Sequence, residues 1–222
     1  MGFSGELRDC AAAIWTASLE HPFVRGIGDG TLPLERFRFY IRQDYVFLIE
    51  FSRVLALAAA RAADLDAMSR YASLLDATLN GEMELHRGYC ERLGIAREEL
   101  EATVAAPTTH AYTRHLLAVA YAGTLGEITA SLIPCQAGYA EIGRELATRG
   151  EPASQPLFGE WIRMYASPET QEIATWACGL LDRLAAGAGA EERDRMAEIF
   201  VMSSRFEYMF WEMAWNMEQW PI

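Results

Sequence analysis

The chain has 222 residues, half of them apolar, and a formal net charge of −12. A chain of this length builds one good-sized core, so a single domain over 1–222 is expected. No Lys/Arg run is present to meet phosphates, which speaks against nucleic acid and anionic membranes as partners and suits a neutral or cationic small ligand.

The N-terminus, "MGFSGELRDC", carries acidic residues and no long apolar run, so it does not read as a secretory signal. Four scattered cysteines (Cys10, Cys90, Cys135, Cys178) form no CxxC pair, and reduced thiols in a cytoplasm are the simplest reading. Apolar residues recur at three- and four-residue spacing nearly throughout, which predicts an all-α fold of about nine or ten helices. The stretch "RGIGDGTLP" (25–33) reads as a glycine-rich loop closed by Pro33, ahead of a helix running to about residue 62. Within that helix "VLALAAA", between Arg53 and Arg61, is far shorter than the ~20 residues a membrane span needs. "AADLDAM" supplies a turn and an acidic helix start, and Gly94 in "RLGI" reads as the cap that ends the following helix. Thr108 or Thr109 is the expected N-cap in "APTTHAY", and Gly123 and Gly126 separate two helices. "TRGEPASQP" (148–156) is the clearest loop. Ser167 and Pro168 form an N-cap and first helical position, and "GAGAEER" (187–193) is the last loop before a C-terminal helix rich in Phe, Met and Trp.

Two segments, 37–58 and 199–217, are apolar on more than one face and are expected to be buried. Their polar residues are therefore informative. Asp44 has Tyr40, Ile41, Phe47 and Leu48 as helical neighbours, while Arg42 and Gln43 can turn outward. A buried carboxylate requires a partner, so Asp44 is either in an ion pair with an arginine or a functional group. Glu207 shares a face with Ser203, Phe210, Trp211 and Ala214. Such surroundings raise a carboxyl pKa into the range of a general acid; the alternative is a structural bond to a neighbouring helix end. Cys135 follows Pro134 and lies four residues before Tyr139, so thiol and phenol share one face. A proline kink would expose that thiol, yet a core-filling cysteine is equally admissible. Cys10, Cys90 and Cys178 read as packing residues. Tyr112 and Tyr165 lie near helix ends, where a hydroxyl reaches polar partners.

Metal and nucleotide sites are not expected. Glu82 and His86 stand at i and i+4, but no Glu-x-x-His follows His115, and HExxH and Cys/His zinc spacings are missing. His21, His110 and His115 form no ligand set; His86 is expected to pack or to bond at a helix end. "GIGDG" lacks the dinucleotide spacing and its preceding strand.

Four runs taken together carry a resemblance: "HPFVRGIGDGTLPLERFRFYIRQDYVFL" (21–48), "EMELHR" (82–87), "IPCQAGYAEIG" (133–143) and "SSRFEYMFWEMAW" (203–215). In order and spacing they resemble the thiaminase II (TenA) family. The resemblance implies a haem-oxygenase-like helical bundle, a homotetramer, and no cofactor. It implies hydrolysis of 4-amino-5-aminomethyl-2-methylpyrimidine to the hydroxymethyl pyrimidine and ammonia, in thiamin salvage, with cleavage of thiamin as a second activity. It also implies roles: Cys135 the nucleophile, Glu207 the acid that protonates the ring, Asp44 the carboxylate on the amino-amidine edge. Tyr139 and Tyr112 are then polar aromatics of the site, Tyr165 packs on the pyrimidine, and Phe210 lines the same pocket. Position 47 departs from the pattern: Phe47 stands where many members carry a tyrosine that assists the cysteine. An oxygenase of the same fold, like the pyrroloquinoline quinone synthase relatives, and a non-catalytic regulator are the alternatives. Sparse histidines weigh against the first and the acidic charge against the second.

Overall fold

A computed structural model of the chain describes residues 2–150 and 152–222. Among these are twelve α-helices and no strand, so the all-α expectation holds. In chain order they are α1 (Phe3–Cys10), α2 (Ala12–Leu19), α3 (Pro22–Asp29), α4 (Leu34–Arg61), α5 (Leu65–Ala77) and α6 (Met83–Arg92). Then follow α7 (Arg97–Glu101), α8 (Pro107–Ala122), α9 (Leu125–Arg149), α10 (Pro156–Ala166), α11 (Pro168–Gly187) and α12 (Ala190–Asn216). Contacts group the residues into two compact units, one made of residues up to Pro33 with Thr129–Glu212, the other of Leu34–Ile128 with Met213–Ile222.

In the first unit α1 packs on α11, and α10 packs on both α3 and α11. Leu7, Ala11, Trp15, Ile133, Leu181 and Phe200 belong to one buried cluster. Trp15 stacks on Phe200 with ring centroids 6.0 Å apart, and its indole N–H donates to the Ser204 hydroxyl at 3.0 Å. A large indole is thus buried without stranding its donor. Arg8 forks onto Glu141 at 2.6 and 3.2 Å, tying α1 to α9. The expected glycine-rich loop at 25–33 is mostly helix: α3 runs to Asp29, and only Gly30, at φ 71°, turns the chain. A left-handed residue at this point suits glycine and ends the helix. Pro33 stands directly ahead of α4, as expected, and a second proline, Pro22, is the first residue of α3, capped by the His21 ring accepting from the Phe23 N–H at 3.1 Å.

In the second unit α4 is the central helix, against which α5, α6 and α8 pack. Phe37, Tyr40, Ile41, Leu48, Val54 and Leu55 are all buried along it, as the apolar pattern on several faces requires. Arg42 does turn outward, to Glu99 at 2.9 Å. Gln43 does not. It is buried, accepting from the Ala106 N–H at 2.8 Å and donating to the Val104 carbonyl at 3.1 Å, so one amide closes both backbone groups of the approach to α8. That approach also corrects the expected cap: neither Thr108 nor Thr109 is the N-cap, which is Ala106, with Pro107 at the first position. The Thr108 N–H is taken instead by the Glu218 carboxylate at 2.9 Å. Favoured cap residues lose here because Pro107 fixes the helical start ahead of both of them.

Gly94, at φ 67°, ends α6 as expected, and Ser167 caps α11 by accepting from the Thr170 N–H at 3.2 Å, with Pro168 next to it. Between α5 and α6 the residues Thr78–Glu82 form a π-helical turn where an unbroken helix was expected. Such turns insert one residue and re-aim the side chains that follow. Gly126 lies inside the first turn of α9, so Gly123 alone ends α8. The 187–193 loop is shorter than expected, since α11 reaches Gly187 and α12 starts at Ala190. Glu151, in the 148–156 loop, lies outside the described residues. Among the described residues no helix is long and apolar enough to cross a membrane.

Candidate active site

The eight expected site residues fall five in the first unit and three in the second. Cys135, Tyr139, Tyr165, Glu207 and Phe210 belong to the first. Asp44, Phe47 and Tyr112 belong to the second.

In the first unit α9 carries Cys135 and Tyr139 one turn apart, so both project from the same side of the helix. The thiol is half-buried and not in a disulfide. Pro134 lies inside α9, which continues on both sides of it from Leu125 to Arg149. Tyr139 is the centre of an aromatic group. Its ring lies 4.7 Å from Tyr165, 5.1 Å from Trp211 and 5.9 Å from Trp161, with tilted planes throughout. Trp161 and Tyr165, four residues apart on α10, are themselves 4.6 Å apart. Offset and tilted geometries of this kind favour ring pairs beyond the area they bury. The close approach of α10 to α9 depends on Gly143, where a Cβ would lie 2.6 Å from the Tyr165 Cβ. A side chain at Gly143 would therefore displace Tyr165.

Glu207 projects from α12 one turn before Trp211 and is 8% exposed. Ser203 and Ser204 on the preceding turn are buried as well. Glu207, Tyr139, Trp211, Ser204, Pro134 and Gly138 are among the residues bounding a cavity of about 20 Å³. A space of that size holds one water. The site chemistry of this unit is thus a thiol and a phenol on one helix, and a carboxyl set among rings on another.

In the second unit Asp44 is 5% exposed, and its partner is a histidine rather than the arginine weighed from the sequence. Its Oδ2 lies 2.7 Å from the Nε2 of His86, itself 2% exposed. The other ring nitrogen, Nδ1, lies 2.9 Å from the backbone carbonyl of Glu82, the last residue of the π-helical turn. His86 therefore does bond near a helix end, as expected, but it also reaches across to α4. Burial lowers the His86 pKa, while the hydrogen bond and charge of Asp44, with the charge of Glu82, raise it; the net direction is upward. One turn on from Asp44, Phe47 packs against Tyr112 of α8 at 5.1 Å and Phe51 at 5.6 Å. Phe47 offers ring contact and no donor, as the sequence states.

Sequence reasoning missed His86 as Asp44's partner, Gln43 as a buried clamp, and Trp161. The first two are set by tertiary pairing: His86 is 42 residues from Asp44. Trp161 had a readable signal, its i, i+4 spacing with Tyr165 in "WIRMY".

The TENA/THI-4/PQQC family model matches residues 8–217. The chain belongs to the TENA/THI-4/PQQC family. Among family relatives, a protein of Halalkalibacterium halodurans named aminopyrimidine aminohydrolase is 45% identical over 99% of this chain and 98% of its own. A solved TenA homologue from P. horikoshii OT3 is 31% identical and superposes with a TM-score of 0.89 over 97% of this chain and 99% of that one. A protein from Shewanella denitrificans OS217, titled as having a heme oxygenase-like fold, is 15% identical with a TM-score of 0.77, covering 96% of this chain and 92% of its own. That likeness supports the expected haem-oxygenase-like fold and nothing about activity.

Proposed function

We propose that this protein is an aminopyrimidine aminohydrolase of thiamin salvage. Its reaction converts 4-amino-5-aminomethyl-2-methylpyrimidine and water to 4-amino-5-hydroxymethyl-2-methylpyrimidine and ammonia. The observation that carries the reading is the 45% identity, over nearly the full length of both chains, to a protein of that name.

The chemistry gives each residue a task. A neutral aminopyrimidine holds its side-arm amine poorly activated. Glu207, buried on α12, donates a proton to a ring nitrogen and makes the ring electrophilic. The Cys135 thiolate adds to the ring carbon beside the one bearing the arm. The electron pair of the dearomatised ring expels the amine, which takes a proton, and leaves an exocyclic methylene. Water adds to that methylene, and the ring expels the cysteine and regains aromaticity. Covalent addition of this kind divides one difficult substitution into easier steps. Asp44 accepts from the amino group of the ring edge. Tyr165 and Phe210 supply apolar surface to the ring, and Tyr139 and Tyr112 supply hydroxyls. Because Phe47 has no hydroxyl, help to the thiol falls to Tyr139, on the same helical face, or to Tyr112. Thiamin is cleaved by the same route with its thiazole as leaving group. The working form is a cytoplasmic homotetramer of one-domain chains.

Mixing the purified protein with the aminomethyl pyrimidine is expected to release ammonia and the hydroxymethyl pyrimidine, and Cys135→Ser to abolish both. A folded wild-type sample that releases no ammonia overturns the reading.

A further inference from the structure

We propose that His86 is a positioning residue that makes Asp44 selective for a 4-amino over a 4-oxo pyrimidine edge. This rests on the reading of Asp44 as the group that binds the ring.

The argument is one of proton counting. A backbone carbonyl only accepts, so the Nδ1 that meets the Glu82 carbonyl at 2.9 Å carries a hydrogen. The remaining nitrogen, Nε2, meets Asp44 Oδ2 at 2.7 Å, the separation of a charge-assisted bond. One proton lies between them. It resides either on nitrogen, giving imidazolium and carboxylate, or on oxygen, giving imidazole and carboxylic acid. Without it a nitrogen lone pair would face carboxylate oxygen in a site where both residues are almost fully buried. In either state Oδ2 and the proton are committed to His86. What Asp44 has left to offer is Oδ1, which only accepts.

An acceptor recognises the N–H of a 4-amino group and repels the oxygen of a 4-oxo ring. Without His86, Oδ2 of Asp44 is no longer committed, and the carboxyl can meet the ring with both of its oxygens. A free carboxylic acid both donates and accepts, so it can satisfy a 4-oxo oxygen as well as an amino group. His86 therefore acts on specificity without touching the ring, by withholding the donor state of Asp44. The π-helical turn Thr78–Glu82 fixes His86 from behind by presenting the Glu82 carbonyl to Nδ1.

Calorimetric titration with 4-amino-5-hydroxymethyl-2-methylpyrimidine and with its 4-oxo counterpart tests this. Wild type is expected to favour the amino ring by about 100-fold or more, as sites with committed hydrogen-bonding groups do. His86→Phe is expected to weaken the amino ring and narrow the preference to below about tenfold. His86→Gln, whose amide still donates to Oδ2, is expected to restore the preference. In turnover the His86→Phe effect should fall on KM for the amino substrate more than on kcat. Should His86→Phe not fold, His86→Asn, too short to reach Oδ2, takes its place. A folded His86→Phe or His86→Asn variant with the wild-type preference overturns the proposal. Asp44→Asn separates this failure from that of the underlying reading: unchanged affinity for the amino ring there shows that Asp44 does not bind it, and the proposal falls with it.

Discussion

Asp44 and Glu207 are both less than a tenth exposed, at 5% and 8%, yet their neighbours differ in kind. Asp44, in the unit built on α4, is bound at one oxygen to His86, which is bound in turn to a backbone carbonyl. Glu207, in the other unit, shares its helical face with Trp211, whose ring joins the group of Tyr139, Trp161 and Tyr165. The His86 bond fixes the orientation of Asp44, which suits recognition. A carboxyl among rings, with Cys135 and Tyr139 elsewhere in the same unit, suits proton donation to a bound heterocycle. The contrast teaches that burial of an acid does not by itself reveal its role; the nature of the neighbours does.

Variants can break that contrast. The largest expected effect is in Cys135→Ser, which removes the nucleophile and should reduce ammonia release to background while leaving the melting temperature within a few degrees of wild type. Next is Glu207→Gln, expected to lower kcat by about 10²–10⁴-fold, the range for loss of a general acid. Asp44→Ala should act on the fold as well: removing one partner of a buried pair costs about 3–5 kcal/mol, readable as a lower midpoint in urea. Phe47→Tyr sharpens the comparison from the opposite direction. If a hydroxyl at this position assists the thiol, one added hydrogen bond of about 1 kcal/mol raises kcat roughly fivefold.

The smallest effect is on the pH dependence of stability, where two buried histidines have opposite signs. His86 has a raised pKa in the folded state. Its contribution is complete below the ordinary value of 6.5 and is lost as pH rises through the higher folded value. His21 has a lowered pKa, because burial outweighs the charge and hydrogen bond of Glu212. Its contribution is complete above 6.5 and declines as pH falls below it. Melting curves between about pH 5 and 9 should show the alkaline decline in wild type and its loss in His86→Gln, with the acid decline retained.

Much of this was legible in the sequence because burial leaves a one-dimensional trace. A helix apolar on several faces has to be enclosed, and α4 and α12 are where Asp44 and Glu207 stood out as acids without a solvent-facing side. The Ser167–Pro168 start and the Gly94 stop were readable because caps are local chemistry. Partners were not readable. Helical spacing shows which residues share a face, not what that face meets, so it offers Asp44 an arginine where the fold supplies His86, and allows Gln43 an outward turn where it clamps residues 104–106. Glycines misled for a related reason. The run 25–33 looks like a loop by composition, but Gly26 and Gly28 are helical, where a Cβ would press on Leu32 and Leu146 at 3.1 and 2.8 Å. They are there for close packing rather than for a turn.

Steady-state kinetics of Glu207→Gln and Asp44→Asn on the aminomethyl pyrimidine test the assignment of the two acids most directly. Glu207→Gln should lose about 100-fold or more in kcat with KM within about threefold of wild type, and Asp44→Asn should raise KM at least about tenfold with the smaller change in kcat. Wild-type kcat in Glu207→Gln, or an Asp44→Asn variant that binds substrate normally and loses only kcat, would contradict the division of roles between them.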